Sequence, residues 1–169
     1  MNKLKWIIFA GLVVLLTVLF YGPLSYVIHW HEQHTLFRFS DIYFSGFLSK
    51  PAGLLNYITA FVVQFFYIPL LGSILFAVIM SAVFLLNVFI IKKITEKDDS
   101  FLFSLLPVIF LIVQYSFIEY PVNVVVGIVI NQLAFYLLLL LPRQTRIYLS
   151  YIFLIGLFYI SGFHSAIFL

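Results

Sequence analysis

A long apolar stretch runs from residue 54 to residue 91 and reads LLNYITAFVVQFFYIPLLGSILFAVIMSAVFLLNVFII. None of its side chains is acidic or basic. About 20 apolar residues cross the hydrocarbon core of a bilayer, so the stretch is too long for one span. Pro69 and Gly72 interrupt it within YIPLLGS, because proline removes a backbone donor and both residues break helices. The stretch therefore predicts a span over about residues 70–91 and a separate segment over 54–68.

Segment 54–68 is expected to lie along the outer surface of the membrane as an interfacial helix, or to enter it as a re-entrant one. A tight hairpin of two short spans is the alternative. Lys92 and Lys93 speak against the hairpin, because lysines next to a span favour the cytoplasmic side. The first span carries the chain from the cytoplasmic side to the outer side. An odd number of crossings between residues 54 and 91 is therefore needed to bring these lysines back to the side of the N-terminus.

The composition excludes a water-soluble fold. Hydrophobic residues make up 64% of the 169 residues and charged residues only 9%, whereas soluble domains carry about 25% charged residues. The net charge of +3 does not indicate a nucleic-acid partner, because the basic residues stand in short clusters beside apolar runs. The chain contains no cysteine, which excludes disulfides, thiolate catalysis and cysteine metal ligands.

The remaining apolar runs complete a multi-pass, all-α transmembrane bundle of about five spans. A mixed loop with interfacial helices, residues 22–68, follows the first span, and the whole chain is expected to form one transmembrane domain. The predicted spans are 6–21, 70–91, 101–117, 122–141 and 147–169.

The basic clusters assign the sides of this bundle. Lysines precede the first span and follow the second, and arginines separate the last two, so all three places are expected to be cytoplasmic. Loop 22–68 and the turn at 118–121 then face outward. No small-x-small cleavage site follows the first span, which predicts an uncleaved signal anchor in a bacterial inner membrane. Because the chain ends in apolar residues, we expect it to be the N-terminal part of a longer protein.

Most ionisable residues outside the basic clusters lie in HWHEQHTLFRFSD, residues 29–41. If residues 29–47 form one helix, five polar residues spaced three and four apart share one face. Glu119 ends the apolar run that begins at residue 101, and His164 lies at nearly the same height within the last run, so both should join this face at the outer surface. The five residues on the face are His31, His34, Arg38, Asp41 and Ser45.

An ionisable group at the membrane is a functional candidate. Asp41 or Glu32 is the candidate general base, and Arg38 would hold a phosphate or carboxylate. His31, His34, Glu119 and His164 complete the candidate substrate-binding set.

Two other interpretations of these polar residues stand beside the catalytic one. The stripe is equally typical of the solvated face of an outer loop. A zinc site is not favoured, because the spacing in HEQH differs from the one-turn spacing of HExxH, and no cofactor is expected. The amides inside the spans, such as Asn87 and Gln132, are expected to form hydrogen bonds between helices.

A motif of about 40 residues resembles an uncharacterised family of multi-pass bacterial inner-membrane proteins, classed as a domain of unknown function. The motif combines an acid and glutamine before Leu-Phe, a Pro-Gly-Gly-Leu-like turn in which one glycine is replaced, an aromatic group and Pro-x-x-Gly. The resemblance implies no activity. The residues that carry it are Glu32, Gln33, Leu36, Phe37, Pro51, Ala52, Gly53, Leu54, Phe61, Gln64, Phe65, Phe66, Tyr67, Pro69 and Gly72.

The layout of the chain also resembles membrane glycosyltransferases that use polyprenyl-phosphate sugars. In those enzymes an acid in the first outer loop is the usual base, which implies Asp41 or Glu32 here. Likeness of layout is weak evidence of function.

The first hypothesis is the membrane part of a cell-envelope enzyme that acts on a lipid-linked or polar substrate at the outer face. A non-catalytic membrane subunit or assembly partner is the alternative, and a transporter is third. The expected partners are the lipid bilayer, a lipid-linked substrate and other membrane subunits.

Overall fold

The computed structural model describes residues 2–95 and 101–162. Within these ranges the chain forms eight α-helices and one short 3-10 helix and contains no β-strand, which confirms the all-α class. In chain order the elements are α1 (Asn2–Tyr21), α2 (Ser25–His34), α3 (Asp41–Leu48), α4 (Gly53–Val63), the 3-10 helix (Gln64–Tyr67), α5 (Pro69–Thr95), α6 (Phe101–Gln114), α7 (Val122–Leu140) and α8 (Arg143–Ser161).

Helix α5 forms the centre of the bundle and packs against α1, α6 and α7. Its sequence is apolar on all sides, as expected for a helix surrounded by other helices or by lipid. The fully buried ring of Phe76 lies edge-to-face with Phe20 of α1 and with Tyr115, at centroid distances of 4.8 Å and 4.9 Å. It also contacts Phe66 of the 3-10 helix at 5.9 Å. These rings join three helical elements and the turn after α6 in one core.

Three helices have the length and apolar composition needed to cross a membrane. They comprise 19 residues of α1, the 27 residues of α5 and the 19 residues of α7. Helix α6 is apolar but has only 14 residues, about 21 Å at 1.5 Å per residue. The total of five spans stays a prediction.

The predicted interruption at Pro69 is present. Helix α4 passes into the 3-10 helix, and Ile68 is extended, with φ −101° and ψ 101°. A residue before proline avoids helical geometry, while proline suits the first position of a helix. Segment 54–68 is therefore structurally separate from α5. Whether it is interfacial, re-entrant or spanning stays a prediction.

Residues 29–47 do not form one helix, so the prediction of a single polar stripe is wrong. Helix α2 ends at His34, and Thr35 is extended, with φ −124° and ψ 113°. A new helix begins at Asp41 because the Ser40 side chain accepts a hydrogen bond from the Tyr43 backbone N–H at 3.2 Å. Serine in this N-cap position, followed by an acid in the first turn, starts a helix strongly.

The bundle has two chemically different ends. At one end, Nζ of Lys5 at the start of α1 lies 4.6 Å from the ring centroid of Phe89 near the end of α5. At the other end, the Tyr26 hydroxyl of α2 donates to the Ser116 carbonyl oxygen at 2.7 Å. The segment of α2, α3 and α4 and the turn before α7 therefore lie together, at the end away from Lys5.

Candidate functional site

A cavity of about 440 Å³ lies between α2, α4 and the start of α7, with α3 at one side. We call it the His31 cavity. Apolar side chains, among them Trp30, Phe47 and Val63, form about half of its wall. Its polar lining residues are His31, His34, Thr35, Tyr43, Asn56, Thr59, Glu119 and Asn123.

His31 is the most buried ionisable residue of the cavity wall, with 5% of its surface exposed. Desolvation by burial lowers the pKa of His31, and the neighbouring His34 lowers it further, while a hydrogen bond to the backbone of Tyr120 opposes both effects. The buried Nε2 atom of His31 has no hydrogen-bond partner.

His34 lies at the exposed side of the cavity, one helical turn after Trp30. Its Nδ1 atom donates to the Trp30 carbonyl oxygen at 2.7 Å, and the two rings stack with centroids 4.2 Å apart. This arrangement fixes the imidazole orientation and leaves Nε2 directed away from the helix backbone.

Two asparagines connect the walls of the cavity. The Asn123 Nδ2 atom of α7 donates to the Asn56 Oδ1 atom of α4 at 2.9 Å. The other amide atom, Asn123 Oδ1, is buried without a partner, and so is the hydroxyl oxygen of Thr59, a residue that is only 8% exposed. With His31 Nε2, three buried polar atoms therefore lack partners, and their residues, from three different helices, line one cavity.

Sequence reasoning missed Asn56, Thr59 and Asn123. Asn56 and Thr59 stand in segment 54–68, the apolar segment expected to be interfacial or re-entrant. Asn123 stands at the start of a predicted span. One signal was present: Asn56 and Thr59 are three apart and therefore share a face of α4.

The structure divides the predicted site residues into two groups. His31, His34 and Glu119 line the His31 cavity together. Glu32, Arg38 and Asp41 are not among its lining residues. Asp41 instead lines a separate, open pocket with Phe39, Ser40, Phe44 and Tyr57. His164 lies outside the described residues.

An aromatic cluster from α3, α4 and the segment between α2 and α3 borders the cavity. Phe37 packs against Tyr57 and Phe61, at centroid distances of 5.1 Å and 5.4 Å. Tyr43 reaches Phe47 at 4.9 Å, and both rings also line the His31 cavity. Phe37, Tyr43 and Phe47 therefore hold α3 against α4, and Tyr43 and Phe47 also complete the cavity wall.

No group of three or more His, Cys, Asp or Glu residues that could hold a metal ion occurs in the described part of the chain. The chemistry that the His31 cavity offers is hydrogen bonding, from an imidazole, a hydroxyl, an amide and a carboxylate.

The architecture is that of an all-helical protein whose apolar helices are compatible with an integral membrane protein. A family model covers residues 1–169, and the chain belongs to that family, the family of unknown function DUF6057. This confirms the resemblance to an uncharacterised family. Comparison with curated proteins and with solved structures gave no match.

Proposed function

We propose that this protein is an integral membrane protein that binds the polar head of a lipid-linked substrate in the His31 cavity. The cavity lies at the end of the bundle away from Lys5. The distribution of basic residues predicts that the cavity end is at the outer face of a bacterial inner membrane. Its position at the ends of apolar helices suits a ligand whose tail stays in the lipid.

One observation carries this proposal: three residues that line the same cavity each have a buried polar atom without a partner. An unpaired buried polar atom costs about 1–3 kcal/mol, so proteins rarely keep several together without a compensating role. A polar ligand in the cavity would provide the missing partners once these side chains turn toward it.

Within this proposal, transfer of a lipid-linked sugar is the reaction class to test, with the sugar in the cavity and any lipid phosphate outside it, because the chain layout is similar to that of polyprenyl-phosphate-dependent glycosyltransferases. Glu119 is then the preferred general base in place of Asp41 and Glu32, since Glu119 lines the cavity. A base must come within hydrogen-bond reach of the proton that it removes.

The test measures which lipids accompany the purified protein. Wild type, Asn123→Leu and Asp41→Asn are purified in parallel, and the retained lipids are identified by mass spectrometry. We expect wild type and Asp41→Asn to retain the same polar-headed lipid and Asn123→Leu to lose most of it. Equal recovery from all three proteins, or no specific lipid in any, would overturn the proposal and favour a non-catalytic membrane subunit.

A further inference from the structure

The unpartnered buried polar atoms of the residues that line the His31 cavity differ in hydrogen-bonding role. Asn123 Oδ1 accepts only, and His31 Nε2 of the neutral ring accepts or donates according to the tautomer. The Glu119 carboxylate, also in the wall, accepts only when ionised. The Thr59 hydroxyl can donate and accept.

From this inventory we infer that the His31 cavity selects an uncharged, hydroxyl-rich head group, such as a sugar or polyol, and rejects an anionic one. The inference rests on the proposed function and names the class of its substrate. A hydroxyl group both donates and accepts, so hydroxyl groups suit Asn123 Oδ1, the Thr59 hydroxyl and either tautomer of His31. The expectation that Arg38 would hold a phosphate in this site does not fit, because Arg38 is outside the cavity lining.

The charge of the cavity wall argues against a phosphate head group. Among the described lining residues there is neither lysine nor arginine, and the one acidic residue is Glu119. A phosphate placed there would approach a carboxylate and several acceptor atoms, and like charges at short distance repel. Phosphate sites in proteins use arginine, lysine or the N–H groups of a helix N-terminus. The start of α7 lines this cavity, but Glu119 precedes it and no basic side chain accompanies it.

The same wall argues against an ammonium head group. An ammonium ion only donates hydrogen bonds. It could therefore not accept one from the buried Thr59 hydroxyl. Glu119 is an exposed side chain, so water screens its attraction for a cation. The buried groups His31 and Asn123 are neutral, and removing a full positive charge from water among them is costly. The cavity, at about 440 Å³, also has more room than a single ammonium group uses.

The chain offers its own reporter for the test. Its two tryptophans are Trp6, on α1, and Trp30, which lines the cavity. A Trp6→Phe protein therefore has one fluorophore, and this fluorophore lies at the proposed site. The protein is placed in phosphatidylcholine vesicles, because the phosphocholine head group has no hydrogen-bond donor.

Each vesicle sample is doped with one test lipid of matched acyl chains: glucosyl-diacylglycerol, phosphatidic acid or a primary-amine lipid. We expect glucosyl-diacylglycerol to change Trp30 emission at the lowest lipid fraction. Thr59→Val should raise the half-saturating fraction of this lipid about tenfold, the loss that one buried hydrogen bond typically causes. Thr17→Val makes the same chemical change on α1, outside the cavity lining, and should have no effect.

The outcomes separate the two proposals. If phosphatidic acid or the amine lipid saturates at an equal or lower fraction than the glucosyl lipid, the head-group class is wrong while binding in the cavity stands. An unchanged response of Thr59→Val also overturns the head-group class. If no test lipid changes Trp30 emission and the lipids retained on purification do not differ between wild type and Asn123→Leu, the proposed function itself fails.

Discussion

At the scale of single residues, His31 couples the cavity to pH. Its pKa is lowered in the folded protein, so as the pH falls through the ordinary histidine value of about 6.5 the unfolded chain binds a proton first. The free energy of unfolding should therefore decrease from about pH 7.5 to about pH 5.5. Below the lowered pKa of His31, this contribution should stop changing.

The measurement is the thermal unfolding midpoint at both pH values. His31→Gln should show a smaller decrease than wild type, whereas His29→Gln, on the exposed side of the same helix, should keep the decrease. The other titratable groups of the cavity wall, His34, Tyr43 and Glu119, remain in both variants. An identical decrease in the two variants would contradict the role assigned to His31.

Ala52 shows how a single residue can be predicted from a motif. It occupies the place where the family-like turn has a glycine, and its φ of 61° is in the left-handed region that glycine adopts without strain. Its backbone N–H donates to the Tyr159 carbonyl oxygen of α8 at 3.0 Å, which fixes the turn against α8. The sequence indicated that the turn is special, but not that α8 would meet it, because that contact joins residues far apart in the chain.

At the scale of helices, the contact of α3 with α4 depends on a glycine. A Cβ atom on Gly53 would lie 1.7 Å from the Phe47 carbonyl oxygen, which is backbone and has little room to move. Gly53→Ala should therefore lower the free energy of unfolding by about 1–3 kcal/mol, the usual cost of overpacking. It should also weaken lipid binding, because Tyr43 and Phe47 of α3 form part of the cavity wall.

Gly46→Ala is the matched control for this change. Gly46 lies in the middle of α3, and a Cβ atom there has no neighbour within 4 Å. Alanine should leave stability unchanged or raise it by about 0.5–1 kcal/mol, the difference between the two residues inside a helix. Thermal unfolding of both variants and of wild type measures the change in stability. Equal stability of Gly53→Ala and wild type would contradict the close packing of α3 and α4.

Sequence patterns predicted the helices well where local chemistry decides them. The interruption before Pro69 follows from proline geometry, and the Asn87–Gln132 hydrogen bond between α5 and α7, at 3.1 Å, follows from the need to pair amides among apolar helices. The prediction of a continuous helix over 29–47 is wrong because the N-cap signal of Ser40 and Asp41 starts a new helix, despite the polar periodicity. The sequence grouped His31, His34 and Glu119, which line the cavity together. That Asn56, Thr59 and Asn123 join them could not be predicted, since it depends on how α2, α4 and α7 pack.

At the scale of the whole molecule, the proposed function depends on orientation. The antiparallel packing of α1 and α5 brings Lys5 near the end of α5 that carries Lys92 and Lys93. The predicted cytoplasmic lysines of two separate segments therefore lie at the same end of the bundle. If this end faces the cytoplasm, the His31 cavity faces outward.

The absence of cysteine makes this orientation directly measurable, because each single-cysteine variant has one reactive thiol. Gln33→Cys places it on the exposed surface of α2 near the cavity, and Lys93→Cys on the exposed end of α5. In intact spheroplasts, a membrane-impermeant maleimide should label Gln33→Cys and not Lys93→Cys. After permeabilisation both should react, which shows that the second thiol is accessible. The reverse pattern would place the cavity on the cytoplasmic side, where substrates of the outer leaflet do not reach it.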